Sequence, residues 1–110
     1  MPLQKKVLPT NNPQKKLWAF FEPIGVCGFI TPWNFPLAMP ARKIAAALAS
    51  GCTCILKPSP ETPLTALFLA NLIQNLGYPS GACQVLIGDE KKLGILSFLN
   101  SPDLLLSLGL

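Results

Sequence analysis

The apolar positions of this chain switch repeatedly between a strand-like and a helix-like period. Gly25 to Ile30 is a short, β-rich apolar run. From Pro36 to Ser50 the pattern turns helical, with Ile44, Ala45, Leu48 and Ala49 on one face before Gly51. Pro40 cannot occupy a helix interior, so the regular helix is expected from about Pro40, after a looser turn. Cys52 to Leu56 reads as a second strand, and the turn Lys57-Pro58-Ser59-Pro60-Glu61 follows it. Thr62 is then the expected N-cap of a second helix, with Pro63 at its first position. Leu64, Leu67, Phe68 and Leu72 form its apolar face, and Gly77 and Pro79 close it. Ala82 to Ile87 supplies a third strand, Gly88-Asp89 a turn, Glu90 to Leu99 a short helix, and Leu104 to Leu108 a fourth strand.

Strands alternating with helices predict an α/β fold: a partial Rossmann-like parallel sheet with flanking helices. In such sheets ligands lie at the carboxyl ends of the strands. The turns at Asn34, Lys57 and Gly88 should all emerge there and line one crevice. Residues 1–20, Pro-rich and polar around Thr10-Asn11-Asn12-Pro13, read as a tail or truncated connection, and residues 21–110 as a partial nucleotide-binding domain.

Composition sharpens this to an incomplete fold. Of the 110 residues, 50% are hydrophobic and 13% charged, against about 25% charged in ordinary soluble domains. A chain so rich in core material is expected to bury apolar area against the rest of a larger protein or a partner subunit. The net charge of +4 comes from the pairs Lys5-Lys6, Lys15-Lys16 and Lys91-Lys92 and scattered Arg42, Lys43 and Lys57. These make no basic stripe and have no interleaved aromatics, which argues against a nucleic-acid partner. Thr62 to Gly88 carries no charged residue, yet Pro63, Asn71, Gln74, Asn75, Gly77 and Pro79 argue against a membrane span. The paired lysines near Met1 have no apolar run behind them, so no secretory signal is read and a cytoplasmic location is expected. Cys27, Cys52, Cys54 and Cys83 all sit in apolar runs, where reduced cysteine acts as a small hydrophobe. Their spacing does not suit a zinc knuckle, and no metal is expected.

The candidate chemistry lies in the turns. Asn34, between Trp33 and Phe35 in a turn stiffened by Pro32 and Pro36, could aim its amide donors at an oxyanion; alternatively it caps the following helix. Lys57, directly after a strand and before Pro58, is placed to meet hydroxyls or phosphates, unless it is a surface lysine without a task. Arg42, about two helical turns past Asn34, could present a forked donor set to a carboxylate or phosphate, or be a solvated charge beside Lys43. There is no histidine, no G-x-G-x-x-G and no Walker-type G-K-S/T. Glu22 and Glu61 border turns but lack an evident partner that would make either a general base.

Between Glu22 and Gly88 the chain resembles the early coenzyme-binding region of the aldehyde dehydrogenase superfamily. The resemblance is carried by Glu22-Pro23-Ile24-Gly25-Val26, Ile30-Thr31-Pro32-Trp33-Asn34-Phe35-Pro36, Ala45 to Thr53, Leu56-Lys57-Pro58-Ser59, Thr62-Pro63 and Gly77-Tyr78-Pro79-Ser80-Gly81. It implies NAD- or NADP-dependent oxidation of a small-molecule aldehyde to an acid through a cysteine thiohemiacetal. Asn34 falls on the family's oxyanion-stabilising asparagine. Lys57 falls on the lysine that contacts the adenosine ribose or a 2′-phosphate, and Thr31, Pro32, Trp33, Pro58, Ser59 and Pro60 would flank the cofactor.

Many NAD-preferring members carry glutamate where this chain has Pro60, so the resemblance permits NADP, with Ser59 as a hydrogen-bond donor to its phosphate. Arg42-Lys43 resembles succinate-semialdehyde-type members, in which arginine helps bind cofactor and an acidic substrate. None of the four cysteines aligns with the family nucleophile, and the glutamate base and pyrophosphate-binding glycine-serine turn find no match. The expectation is a fragment of an aldehyde dehydrogenase, inactive alone, from a family usually homo-oligomeric. The alternative is a non-catalytic nucleotide-binding or subunit-association module.

Overall fold

A computed structural model describes residues 6–89 and the backbone of residues 104–108. The elements in order are β1 Lys6–Leu8, β2 Leu17–Ala19, β3 Val26–Thr31, α1 Ala38–Ala49, β4 Thr53–Pro58, α2 Pro63–Asn75, β5 Cys83–Val85 and β6 Leu104–Leu108. β3 and β4 arise from runs of β-branched, aromatic and sulfur residues that fit a pleated, half-buried surface. They pair in parallel from Val26↔Thr53 to Thr31↔Pro58. β5 joins the outer side of β4, and β6 the outer side of β3, giving the order β5-β4-β3-β6 with every pairing parallel.

Parallel neighbours need a crossover, and the two crossovers here are α1 and α2. Both run in the same direction along the sheet, so right-handed connections put both helices on one face. The core agrees: Cys27 and Phe29 of β3, Cys54 and Leu56 of β4, Ile44 and Ala47 of α1, and Ala66 and Ile73 of α2 form one buried cluster. From β5 the chain returns past β3 to place β6 on its far side, which puts a reversal of strand order between β3 and β6.

α1 ends in a left-handed glycine. Gly51 has φ +80°, its N–H donates to Leu48 O at 3.1 Å and the Cys52 N–H donates to Ala47 O at 2.9 Å. This paired closure leads straight into β4. Pro23 Cγ would lie 3.3 Å from a β-carbon at Gly51, so sterics and backbone both hold the position to glycine.

Several expectations are corrected. α1 starts at Ala38, two residues before the expected start, and Pro40 is buried in its first turn. Proline is tolerated there because an N–H in the first turn has no helical acceptor. Of the expected α1 face, Ile44 is buried and Leu48 packs against the core, but Ala45 and Ala49 are exposed. α2 shows a larger reversal: Leu64, Leu67, Phe68 and Leu72 face outward, Leu64 being 77% exposed, while Ala66 and Ile73 are buried and Leu69 is partly so. α2 is apolar around most of its girth, and small Ala66 permits a closer approach to the sheet than Leu64 or Phe68 would. β4 runs two residues further than expected, taking Lys57 and Pro58 into the strand, and β5 is shorter. Within the expected tail, β1 and β2 pair antiparallel, Val7 opposite Trp18. The expected helix over Glu90 to Leu99 lies outside the described residues. Among the described residues no helix is long and apolar enough to cross a membrane.

Leu56 is fully buried in the sheet's inner strand. Leu56→Ala is therefore predicted to cost about 2–5 kcal/mol, and the milder Ile44→Val about 1 kcal/mol. Urea unfolding followed by circular dichroism checks both, and a loss under about 1 kcal/mol for Leu56→Ala would contradict its central place.

Candidate functional site

The carboxyl edge of the sheet is built by the last residues of β3 and β4. Their register sets Ile30 beside Lys57 and Thr31 beside Pro58. The odd positions Cys27, Phe29 and Thr31 point to the helix-covered face, and Thr31 ends that series with only 3% of its surface exposed. Its Oγ1 is buried and has no hydrogen-bond partner. A second buried hydroxyl without a partner, Thr62 Oγ1, lies just ahead of α2. Buried hydroxyls usually find a partner, and these two are polar groups that a ligand at this edge could engage. Only the backbone around Thr31 was expected to matter. The signal for its side chain was the alternation itself, which carries Thr31 onto the face of Cys27 and Phe29.

Lys57 is 5% exposed, which removes the alternative of a surface lysine without a task. Its Nζ donates to the Pro58 carbonyl at 3.2 Å. A buried ammonium keeps its charge only where oxygens replace lost water, and one such oxygen is supplied here by the chain itself. The turn beyond is tied down locally: the Thr62 N–H donates to Ser59 O at 3.1 Å and the Glu61 N–H to Ser59 Oγ at 3.4 Å. Ser59 is half-buried, whereas Pro60 and Glu61 are exposed.

Asn34 lies in the link from β3 to α1, exposed, and makes no hydrogen bond among the described residues. The residue in the capping position of α1 is Leu37, without a side-chain cap bond, so Asn34 does not cap that helix. Trp33 and Phe35 are 59% and 60% exposed. They do not clamp Asn34 against this chain's core; its position rests on Pro32, on half-buried Pro36 and on the Met39 N–H bonding to Phe35 O at 3.2 Å. Arg42 is exposed on α1, roughly opposite the buried stripe Pro40, Ile44 and Ala47. The register thus sets the ends of β3 and β4 side by side, Thr31 with Pro58 on the helix-covered face and Ile30 with Lys57 on the other, with Pro32 and Ser59 as the next residue of each strand. Arg42 stands apart from them on the outer side of α1.

Neither helix carries a side-chain cap or an acidic residue in its first turn. In a parallel β-α unit each helix begins near the carboxyl edge, so the positive ends of α1 and α2 lie on the same edge as Lys57. This donor set suits an anionic or hydroxyl-rich ligand such as a nucleotide. Among the described residues no group of three or more His, Cys, Asp or Glu could hold a metal ion.

An open parallel α/β sheet whose strand order reverses beside β3 has the arrangement of Rossmann-like folds. Residues 1–103 match the model of the aldehyde dehydrogenase family. The chain belongs to that family.

The match takes in the β1–β2 segment as well as the Glu22–Gly88 region. The chain is 49% identical over 96 residues to mitochondrial succinate-semialdehyde dehydrogenase of Arabidopsis thaliana, covering 87% of this chain and 18% of that protein. It is 47% identical over 93 residues to succinate-semialdehyde dehydrogenase [NADP(+)] of Saccharomyces cerevisiae, covering 84% of this chain and 17% of that protein. The crystal structure of succinate-semialdehyde dehydrogenase from Burkholderia pseudomallei superposes with a TM-score of 0.88 at 44% identity, covering 96% of this chain and 22% of that one. The chain therefore spans about a fifth of the length of these relatives.

A helix-capping asparagine and an unbonded one respond differently to truncation. Since Asn34 is exposed and unbonded, Asn34→Ala is predicted to change stability by no more than about 0.5 kcal/mol. Removing a genuine cap costs about 1 kcal/mol, so a urea-measured loss of that size would restore the capping role.

Proposed function

We propose that this segment supplies the nucleotide-binding edge and the oxyanion-stabilising turn of an enzyme that oxidises an aldehyde to a carboxylic acid with NAD or NADP. The observation that carries the reading is Lys57, buried at the carboxyl edge of β4 beside Ile30 of β3. In parallel α/β sheets ligands lie at that edge, where an ammonium is placed to meet phosphate or ribose oxygens.

NAD(P)+, when bound, provides the acceptor for the two electrons that leave the aldehyde. Lys57 Nζ would face the adenosine ribose or its 2′-phosphate, with Thr31, Pro32 and Trp33 along one side and Pro58, Ser59 and Pro60 along the other. At the position where a glutamate would repel a 2′-phosphate stands Pro60, which carries no charge. Ser59 Oγ is within reach of the same turn, so the reading includes NADP, in line with the cofactor in the name of the yeast relative.

Asn34 acts at the other reactant. When a cysteine thiolate attacks the aldehyde carbon, the carbonyl oxygen gains negative charge, and the Asn34 amide donates hydrogen bonds to it. An amide fixed in a Pro-framed turn needs little reorganisation, so it stabilises the charged state more than the neutral aldehyde. The four thiols of this chain are not that nucleophile. Cys27, Cys54 and Cys83 lie in register near the amino ends of their strands, and Thr31, four residues beyond Cys27, is roughly 13 Å further along at the rise of a strand. Arg42 would receive the carboxylate of an acidic aldehyde such as succinate semialdehyde, within a homo-oligomeric full-length enzyme. A subunit-association role, in which the outer face of α2 docks on other parts of the assembly, is favoured by the exposure of Leu64, Phe68, Leu72 and Leu76 and is compatible with this reading.

Two measurements test the proposal. In a full-length aldehyde dehydrogenase carrying this segment, Asn34→Ala is expected to lower kcat by about 10²–10³ with nucleotide affinity unchanged. An unchanged kcat would remove the oxyanion role. For the cofactor, titration calorimetry is expected to show NADP+ binding weakened at least tenfold by Lys57→Ala, and Pro60→Glu to shift preference toward NAD+. Binding insensitive to both changes would remove the nucleotide edge. The 110-residue chain alone is expected to show no aldehyde-dependent NAD(P)H formation at 340 nm.

A further inference from the structure

The proposed function leaves one cluster of reactive side chains without a task. Cys27, Cys54 and Cys83 are successive register partners on three adjacent parallel strands, Cys27↔Cys54 and Cys54↔Cys83, all on the helix-covered face. Cys52 sits beside Cys27, and all four thiols are free. We propose that Cys54 and Cys83 form a thiol pair that a hydroperoxide oxidises to a disulfide, joining β4 to β5.

Geometry comes first. Paired strands lie about 4.7–4.9 Å apart, and disulfides form where α-carbons are roughly 4.4–6.8 Å apart with their β-carbons on one side. In-register partners on one face of a sheet meet both conditions. The two cysteines are direct register partners on neighbouring strands. Accessibility then separates their roles. Cys54 is 1% exposed in the inner strand, whereas Cys83 is half-buried on β5, which pairs only with β4 among the described residues.

Protonation follows the same division. The Cys54 S–H donates to Cys83 Sγ, which holds the Cys83 thiol below its ordinary range against the opposing effect of burial. That same bond, followed by burial, raises the Cys54 thiol. Accessibility makes Cys83 the partner that a peroxide meets first, with Cys54 behind it. Cys27 and Cys52 are both buried, at 4% and 5% exposure, and offer a peroxide no comparable entry.

The reaction balances in two steps. The Cys83 sulfur, its proton given up to solvent, attacks the outer oxygen of the hydroperoxide; the O–O bond breaks, hydroxide or alkoxide leaves and takes a proton back from solvent as water or an alcohol, and sulfur is oxidised to the sulfenic acid. Cys54 sulfur then attacks Cys83 sulfur, the S–OH bond breaks, and the Cys54 proton leaves with the hydroxide as water. The closed loop from Cys54 to Cys83 encloses the whole of α2 and the Ser59–Thr62 turn, so the oxidised chain ties the nucleotide-binding edge to β5. This consequence depends on the fold and not on the proposed activity.

The test treats the reduced, folded chain with hydrogen peroxide, blocks remaining thiols with N-ethylmaleimide, and digests with trypsin and a glutamate-specific protease without reduction. The sequence separates Cys27 in residues 17–42, Cys52 and Cys54 in 44–61, and Cys83 in 62–90, since prolines after Glu22 and Lys57 block cleavage there. Mass spectrometry is expected to find 44–61 joined to 62–90, lost in Cys54→Ala and Cys83→Ala and kept in Cys52→Ala. The thermal midpoint of the oxidised chain is expected to rise by about 5 °C or more. Should Cys54→Ala fail to fold, fragmentation of the linked wild-type peptides still tells Cys52 from Cys54. The proposal is overturned if Cys83 stays alkylated after peroxide. It is equally overturned if Cys52 or a second chain is the partner, or if the same linkage forms as readily in urea-unfolded chain.

Discussion

Everything at the candidate site depends on the parallel register of β3 with β4. A parallel pair has its two carboxyl ends on one edge, and the crossover helix between them starts beside that edge. With Val26 opposite Thr53, the strands end together at Thr31 and Pro58. A slip of one residue would turn every side chain of β4 to the opposite face. Leu56 would leave the cluster it fills with Phe29 and Ile44, and Lys57 would enter that cluster with its charge. Two adjacent residues, one fully buried and apolar and the other buried and cationic, therefore hold the register from both sides. The placement of Lys57 at the ligand edge and the integrity of the core are one constraint.

The edge is also where backbone hydrogen bonding stops. Pro58 ends β4 and Pro32 follows β3, and proline offers no N–H to extend a ladder. Past those prolines the chain has to find other partners, and it does so only in part: Ser59 organises its own turn, while α1 and α2 begin without side-chain caps. The outcome is an edge that gathers two helix N-termini and an ammonium, a setting that favours anionic over cationic ligands.

The class of fold was legible because strand and helix periods alternate and because Gly51 and Gly77 punctuate them; both adopt left-handed φ where the helices end. Asn34 and Lys57 stood out as candidates because Pro32, Pro36 and Pro58 mark strand exits. Other features were hidden for definite reasons. In α2, leucines occur on nearly every face, so spacing could not show that Ala66 and Ile73 meet the sheet; volume at the contact decided it, not hydrophobicity. Pro40 suggested a later helix start, because a proline three residues into a helix and one at its start look alike in sequence. The β1–β2 pairing depends on two three-residue runs, Lys6–Leu8 and Leu17–Ala19, too short for a period to register. The row formed by Cys27, Cys54 and Cys83 exists only once strands are in register, and no spacing along the chain encodes it.

The exposed side of α2 links folding to binding. Leu64, Phe68 and Leu76 each leave more than half of their surface in water, so this helix contributes less burial than its composition would permit, and the sheet relies on α1 for much of its cover. Small domains are marginal even with complete cores. Any ligand at the carboxyl edge touches residues that are ordered only when β3, β4 and the turn to α2 are formed. Its apparent affinity is therefore the intrinsic affinity scaled by the fraction of chains with that edge in place. Binding then stabilises the folded chain in proportion to ligand concentration, as it does for any protein whose unfolded state has no site. Weak nucleotide binding by the isolated segment would, on this argument, report an under-filled α2 face rather than a poor site. Covering that face, with the chain that normally packs on it or with smaller polar side chains, should raise stability and apparent affinity together while leaving the chemistry at Lys57 and Asn34 unchanged.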